Sequence, residues 1–210
     1  MKRADHFTKE TNLIQLGVGF DDKTGAISVP IYPSATYRHP GVGESTGYDY
    51  TRSGNPTRQV LENGLAELEG GSRGLVFSSG MAALTTFFLH FSQGDHLIVS
   101  EDLYGGTYRV LDQIFANFGL TVSYVNTTDT EAVAAAISDQ TRALLVETPG
   151  NPLLGISDLA ALGKLCQKHE ILFAVDNTFL SPLLQRPFEF GADVVICMVT
   201  DDAASRTMCM

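Results

Sequence analysis

The chain has 210 residues, of which 44% are hydrophobic and 18% are charged, and its formal net charge is -10. This composition is typical of a soluble globular protein with one sizeable core. The acidic excess argues against a nucleic-acid surface, which needs clustered Lys and Arg. No apolar run approaches the roughly 20 residues of a membrane helix, so we expect no membrane partner. Three cysteines without paired spacing, and no secretory signal pattern, favour a cytoplasmic protein without a metal site.

Residues 1–54 have little periodicity and many turn-forming residues. This stretch carries tyrosines and arginines close together, among them Tyr50 and Arg52. A segment of this length without regular structure is expected to be functional or to lie across a partner. We therefore interpret residues 1–54 as an arm that packs on a neighbouring subunit.

Regular structure is predicted from residue 55 onward. Asn55 has the position of a helix N-cap, Pro56 follows at the first helical position, and Gly70 ends the helix. Apolar runs and helical periodicity then alternate along the chain. The predicted strands are residues 74–78, 96–99, 120–125, 142–147, 171–175 and 193–196. The predicted helices are residues 79–91, 107–118, 129–137 and 157–169, the last capped by Ser157. This alternation predicts an α/β domain over residues 55–196, with a mainly parallel sheet and helices on both faces.

The run ILFAVDNT at residues 171–178 is predicted to be a buried strand that ends at an acid, Asp176. Ligands of open α/β sheets bind just beyond the carboxyl ends of the strands. A carboxylate buried there needs a cationic or hydrogen-bonding partner. One such partner is the protonated ring nitrogen of pyridoxal phosphate (PLP). A helix N-cap and a metal ligand are the alternatives for Asp176.

Three other predicted strand ends carry groups that suit a phosphorylated ring. Ser79 and Gly80 open a helix and offer N–H groups and a hydroxyl to an anion, without a dinucleotide or Walker A glycine pattern. Tyr104 offers an aromatic ring, and Asn151 offers a side-chain amide in a tight turn. Together with Asp176 these groups predict a pocket for a flat, phosphorylated, nitrogen-containing ring. A capped helix without a ligand is the alternative for Ser79.

Four ordered motifs resemble those of the Cys/Met-metabolism family of PLP-dependent enzymes. They are YTRSGNPT at residues 50–57, SSGMAA at 78–83, E-x-P-x-N-P at 147–152 and VDNT at 175–178. This trans-sulfuration group includes cystathionine γ-synthase, cystathionine γ- and β-lyases, methionine γ-lyase and O-acylhomoserine sulfhydrylases. The resemblance spans roughly residues 12–196 and implies the large domain of the PLP-dependent transferase fold type I.

The resemblance also implies a role for each matched position. Ser79, Gly80 and Met81 would hold the phosphate of the cofactor. Tyr104 would stack on its ring, and Asn151 would contact the ring hydroxyl.

Further roles follow from the other two motifs. Asp176 would pair with the pyridine nitrogen, with Thr178 beside it. Tyr50 and Arg52 would reach the phosphate in a neighbouring subunit of a homodimer or homotetramer. The substrate would be a small molecule, a sulfur-containing amino acid or an activated homoserine.

The chain departs from the family pattern after residue 196. The family continues with a segment of the type His-Ser-x-Thr-Lys, whose lysine forms the Schiff base, whereas this chain has CMVTDD at residues 197–202. Thr200 matches and is counted with the cofactor-binding residues. Asp201 stands at the lysine position, and Met198 replaces the phosphate-binding serine. The resemblance therefore assigns no catalytic residue to the chain.

The same stretch changes in composition, because residues 197–210 hold three of the five methionines and two of the three cysteines. We interpret residues 197–210 as an aberrant tail, and the chain as an inactive N-terminal part of a trans-sulfuration enzyme without the small C-terminal domain. The alternatives are a non-catalytic remnant that binds PLP or a partner chain, and a mis-called or frameshifted gene fragment. An unrelated nucleotide-binding module is disfavoured by the missing glycine fingerprints. The sequence does not distinguish a lyase from a synthase.

Overall fold

The computed structural model describes residues 8–15, 24–201 and 204–209, and side chains as far as Met198. The chain divides into two compact units, residues 1–76 and residues 77–210. The functional division predicted from the sequence, after residues 54 and 196, stays a prediction. No helix of the described residues is long and apolar enough to cross a membrane.

The first unit contains two helices and a short strand among its described residues. They are α1 (Lys9–Ile14), α2 (Pro56–Glu69) and β1 (Leu75–Val76). Asn55 caps α2 as predicted, since its side-chain oxygen accepts hydrogen bonds from the N–H groups of Thr57 and Arg58. Gly70 ends the helix with a φ of 81°, a conformation that glycine adopts without strain. Thr57 also accepts a hydrogen bond of 2.9 Å from the Tyr32 N–H, which ties α2 to the preceding segment.

The second unit alternates strands and helices, as the sequence predicts. Its strands are β2 (His96–Ser100), β3 (Thr121–Val125), β4 (Thr141–Glu147), β5 (Leu172–Asp176), β6 (Val194–Asp201) and β7 (Ala204–Cys209). Its helices are α3 (Gly80–Phe88), α4 (Gly105–Gln113), α5 (Thr130–Ala136), α6 (Leu159–His169) and α7 (Ser181–Leu184), with 3₁₀ helices at Phe115–Phe118 and Pro187–Phe190. The predicted α/β fold with a mainly parallel sheet is confirmed.

The strands of the second unit lie in the order β7-β6-β5-β4-β2-β3. Strands β2 to β6 are parallel, and β7 is antiparallel to β6. The chain passes from β2 outward to β3, but from β4 in the opposite direction to β5. The loops that follow β2 and β4 therefore diverge at the carboxyl edge of the sheet, and such a switch point is where open α/β sheets bind ligands.

Both faces of this sheet are buried, which explains why its strands are apolar almost throughout. In β2, Leu97 and Val99 pack into one core with helices α3 and α4. Ile98 points to the other face, where Leu144 and Phe173 join a second core with helices α5 and α6. The helices packed on both faces hold the strand ends in fixed positions, and the loops at the carboxyl edge of the sheet begin from these strand ends.

Several predicted helix boundaries are wrong, among them the end of α3, which lies at Phe88 rather than at about residue 91. Helix α6 is capped by Asp158 rather than Ser157, because the Asp158 carboxylate accepts from the Ala161 N–H at 2.9 Å. The Ser157 hydroxyl instead donates to Thr127. The helix predicted at residues 107–118 begins earlier, at Gly105, and is interrupted at Ile114, whose ψ of -63° leads into the 3₁₀ helix.

The last predicted strand is too short. Strand β6 continues beyond residue 196 to Asp201 and pairs with β7, in a register that runs from Ile196 opposite Cys209 to Asp201 opposite Ala204. The sequence predicts no strand at residues 197–210, which we interpret above as an aberrant tail. However, cysteine, methionine, valine and threonine at residues 197–200 are all compatible with a strand.

Candidate functional site

A cavity of about 330 Å³ lies at the carboxyl edge of the sheet, where the loops after β2 and β4 diverge. This volume is within the usual range for small-molecule pockets. Residues predicted from separate motifs line it together: Gly80, Met81, Tyr104, Asn151, Asp176 and Thr178. The parallel sheet explains this placement, since all of these residues follow or end its strands, or begin helix α3.

Among the other predicted site residues, Ser79 is not in the lining of this cavity. Ser79 is the N-cap of α3, and its hydroxyl accepts from the Ala82 N–H at 3.1 Å. Thr200 lies in β6, and its side chain is outside the described part of the chain. Tyr50 and Arg52 belong to the first unit, where the Arg52 guanidinium donates to the Tyr50 hydroxyl at 3.0 Å.

The aromatic wall of the cavity depends on a glycine at the start of α4. A Cβ at Gly106 would lie 2.4 Å from Cε1 of Tyr104 and 2.8 Å from Sδ of Met81. Both distances are too short for real atoms, so a side chain at this position would displace the ring or the thioether. Gly106 therefore permits Tyr104 and Met81 to pack together at the cavity.

Asp176 ends β5 and is held by a hydroxyl relay. Its Oδ1 accepts from the Thr178 N–H at 3.1 Å and from the Thr178 hydroxyl at 2.5 Å. Oγ1 of Thr178 in turn accepts from the Met198 N–H at 3.0 Å. The helix N-cap alternative for Asp176 is wrong. The next helix, α7, begins only at Ser181, and the Asp176 carboxylate accepts from Thr178 in the intervening loop. No group of three or more His, Cys, Asp or Glu in the described residues is placed to hold a metal ion.

A second acid, Glu147, lies beside Asp176 at the cavity. The two residues are register partners at the ends of neighbouring strands β4 and β5. Burial raises the pKa of Asp176, although the hydrogen bonds from Thr178 oppose this shift. Burial first, and the charge of Asp176 second, raise the pKa of Glu147 to about 8, against the opposing N–H of Tyr104.

Neither acid forms an ion pair within the described residues, and the raised pKa of both acids means that the cavity disfavours their negative charge in the absence of a cation. A protonated ring nitrogen bound next to Asp176 would supply that cation and lower the pKa of the carboxyl group. The residues present therefore suit a cationic heterocycle, with the N-terminus of α3 available to an anionic substituent.

The raised pKa of Glu147 predicts a specific pH dependence of stability. Between about pH 4.5 and 8 this carboxyl group is protonated in the folded state and ionised in the unfolded state. The unfolding free energy should therefore fall as the pH rises through this range, from about pH 4.5 to 8. The slope contributed by one group is at most about 1.4 kcal/mol per pH unit. Glu147→Gln should flatten the profile, as measured by urea unfolding followed by circular dichroism. Glu101→Gln, at an exposed acid, is the control, and equal slopes in all three proteins would contradict the prediction.

Sequence reasoning assigned no function to several residues at this site. Glu147 was recognised only as part of a motif, although it repeats the pattern of Asp176, an acid at the last position of a buried strand. The apolar lining of Leu84, Phe179 and Ile196, and Cys197 beside them, carried no signal of its own. These residues lie at the cavity only because the sheet places them there.

Comparisons with known proteins agree with this geometry. Residues 10–201 match the family described as Cys/Met metabolism PLP-dependent enzyme. The chain is 50% identical over 191 residues to a cystathionine gamma-synthase/O-acetylhomoserine (thiol)-lyase of Bacillus subtilis (strain 168), a match that covers 91% of this chain and 51% of that protein. It is 51% identical over 194 residues to a cystathionine gamma-synthase of Haemophilus influenzae, with 92% of this chain and 53% of that protein covered.

Solved structures give the same result. The crystal structure of cystathionine gamma-lyase from Lactobacillus plantarum, complexed with L-serine, superimposes with a TM-score of 0.91 at 45% identity. That match covers 97% of this chain and 55% of the solved one. The chain thus spans about half the length of the relatives it matches. The resemblance inferred from the four sequence motifs is confirmed, and the chain belongs to the Cys/Met metabolism family of PLP-dependent enzymes.

Proposed function

We propose that this chain is the cofactor-binding part of a PLP-dependent trans-sulfuration enzyme. The proposed reaction is C–S cleavage or γ-replacement on cystathionine, methionine or an O-acylhomoserine. The observation that carries the proposal is the cavity at the switch point, which combines a helix N-terminus, an aromatic ring, an amide and a half-buried acid without a cation. The cofactor of the family supports the same assignment.

Each group of the cavity has a task toward PLP in this proposal. The N-terminus of α3 at Gly80 and Met81 would face the phosphate, with the Ser79 hydroxyl beside them. The ring of Tyr104 and the amide of Asn151 would contact the pyridine ring and its hydroxyl. When bound, PLP supplies an electron sink that stabilises negative charge developing on the substrate.

Asp176 has the central task, which is to hold a proton on the ring nitrogen. Its orientation is set by the two donors of Thr178, so that one carboxylate oxygen is already occupied by the protein. The surrounding burial strengthens its attraction to a cation, because the effective dielectric constant is lower than in water. Thr178 is thereby a positioning residue that acts through Asp176.

We further propose that this chain binds PLP reversibly, because Asp201 occupies the position of the family lysine. The purified chain should take up PLP, and borohydride reduction should then fix no cofactor in the cavity. Asp176→Asn should weaken binding by about tenfold to a hundredfold, the usual effect of a hydrogen bond to a charged group. Asp139→Asn, at an exposed acid beyond the opposite edge of the sheet, is the matched control.

Equilibrium dialysis and the visible circular dichroism of bound PLP measure the uptake of PLP by the unmodified chain and the weaker binding by Asp176→Asn. Absence of binding to the unmodified chain would overturn the proposed function. Stoichiometric reduction onto a lysine would refute reversible binding but support an active enzyme. Reversible binding alone also agrees with the second candidate, a non-catalytic PLP-binding remnant, which is favoured specifically by Asp201.

A homodimer or homotetramer is part of the proposal, with Tyr50 and Arg52 reaching the site of a neighbouring subunit. Both side chains are exposed in the described chain, and so are Leu153 and Leu154 in the loop after β4. Exposed apolar side chains next to a ligand site are typical of surfaces that a partner covers. A cytoplasmic location is proposed as well, in keeping with the buried Cys166, which is not in a disulfide.

A further inference from the structure

The switch point creates a mechanical problem for the site. The loop after β2 carries Tyr104, and the loop after β4 carries Asn151, yet the two loops continue to opposite sides of the sheet. Strand pairing between β2 and β4 runs from His96 to Val99 and stops before either loop begins. Other contacts must therefore keep the ring and the amide at the same cavity.

The first such contact runs from the end of β4 to the β2 loop. Oε2 of Glu147 accepts a hydrogen bond from the Tyr104 N–H at 2.8 Å, between residues 43 positions apart in the chain. The N–H of Glu147 itself donates to the Ser100 hydroxyl at 3.2 Å, which fixes the acid to the end of β2. Tyr104 is also the N-cap residue of α4, so the contact with Glu147 lies at the start of this helix.

The second contact runs in the opposite direction. Both carboxylate oxygens of Asp102, in the β2 loop, accept from the Leu153 N–H at 3.2 Å, two residues after Asn151. The β4 loop is packed tightly on this acid, since a Cβ at Gly150 would lie 2.4 Å from Oδ2 of Asp102. Glycine at this position is thus required by the close approach of Asp102.

We propose that Glu147 and Asp102 form a reciprocal brace, in which Glu147 at the end of β4 accepts from a backbone N–H of the β2 loop, and Asp102 in the β2 loop accepts from a backbone N–H of the β4 loop. Both acids are positioning residues: Glu147 holds Tyr104 and Asp102 holds the turn that carries Asn151. Carboxyl groups suit this task, because an ionised carboxyl accepts through both oxygens and a protonated one keeps acceptor capacity for a backbone N–H. The consequence for PLP binding rests on the proposed function, whereas the brace itself is a property of the chain alone.

Amide hydrogen exchange tests the brace without the cofactor. Asp102→Ala should accelerate exchange at the Leu153 N–H, and Glu147→Ala should accelerate it at the Tyr104 N–H, each by about tenfold. The effect should be specific for each amide, whereas general destabilisation would raise exchange throughout the sheet. Glu101→Ala, at the exposed acid next to Asp102, should change neither amide.

Isosteric variants and Gly150 give the second part of the test. Asp102→Asn and Glu147→Gln keep an acceptor oxygen and should restore most of the protection. Gly150→Ala leaves both acids in place, but the added methyl group pushes against Asp102. It should therefore accelerate exchange at the Leu153 N–H and leave exchange at the Tyr104 N–H unchanged. If an alanine variant does not fold, the unmodified chain decides, since both amides must then exchange at least about tenfold more slowly than free peptide.

PLP affinity measures the consequence for the site. Both alanine variants should weaken PLP binding and reduce its visible circular dichroism, and the isosteric variants should recover both. If the unmodified chain binds no PLP but the amides respond as predicted, the proposed function fails and the brace stands. The brace is overturned if the two amides are unprotected in the unmodified chain, or if each alanine variant does not act on its own partner amide. Its positioning role is overturned if amide exchange rises while PLP binding is unchanged.

Discussion

The 210-residue polypeptide, supplied with PLP, is expected to turn over cystathionine, methionine, cysteine and O-acylhomoserines at least ~10²–10⁴-fold more slowly than a full-length relative. That range is the typical contribution of general acid–base catalysis alone. The family lysine both links covalently to the cofactor and moves protons at the substrate. In the proposed function Asp201 occupies its position, and a carboxylate can neither form that link nor carry the positive charge.

The measurement compares release of thiol, ammonia and keto acid by this chain with release by the relative from Bacillus subtilis at equal PLP concentration. Asp176→Asn of this chain is a useful second sample, because any residual rate from free PLP should be the same in both proteins. Turnover within tenfold of the relative would show that another group replaces the lysine, and the assignment of an inactive chain would then be wrong.

Local signals in the sequence predicted the fold well. The N-cap at Asn55 and the glycine at Gly70 depend on neighbouring residues only, and both are found as predicted. Strands β2, β4 and β5 are buried on both faces, so their sequences are continuous apolar runs without alternating polar residues. Such runs are easy to recognise in the sequence. Prediction failed where two adjacent residues were equally suited to a task. Ser157 and Asp158 can both cap a helix, and only the three-dimensional position of Thr127 decides between them.

The residues of the site also divide into those that local sequence signals predict and those that they do not. Asp176, Tyr104 and Asn151 could be predicted because each follows a strand, and parallel strands bring their carboxyl ends together. Glu147 and Asp102 could not be assigned a task, because their partners lie 43 and 51 positions away in the chain. Their contacts depend on the reversal of strand order between β2 and β4, which periodicity does not reveal.

Asp201→Lys alone is expected to restore no trans-sulfuration activity. Met198 would still line the cavity at the position where the proposed function calls for a phosphate-binding serine, and a thioether donates no hydrogen bond to an oxyanion. The side chains of Leu153, Ile156 and Leu184 are 81%, 66% and 73% exposed, which favours association when no partner segment covers them. A lysine at one position changes none of this.

By contrast, residues 1–196 joined to the matching C-terminal portion of a family member should give a soluble, yellow, PLP-bound oligomer that is active. This chimera retains the cavity groups Tyr104, Asn151 and Asp176 of the present chain, and it receives the family lysine together with the serine. Its rate should exceed that of the unmodified 210-residue chain by ~10²–10⁴-fold, since acid–base catalysis returns with the lysine. Chimeras from several donors guard against one incompatible junction. Activity in the point variant would show that the lysine alone was missing, and insolubility of every chimera would place the defect in residues 1–196 rather than after them.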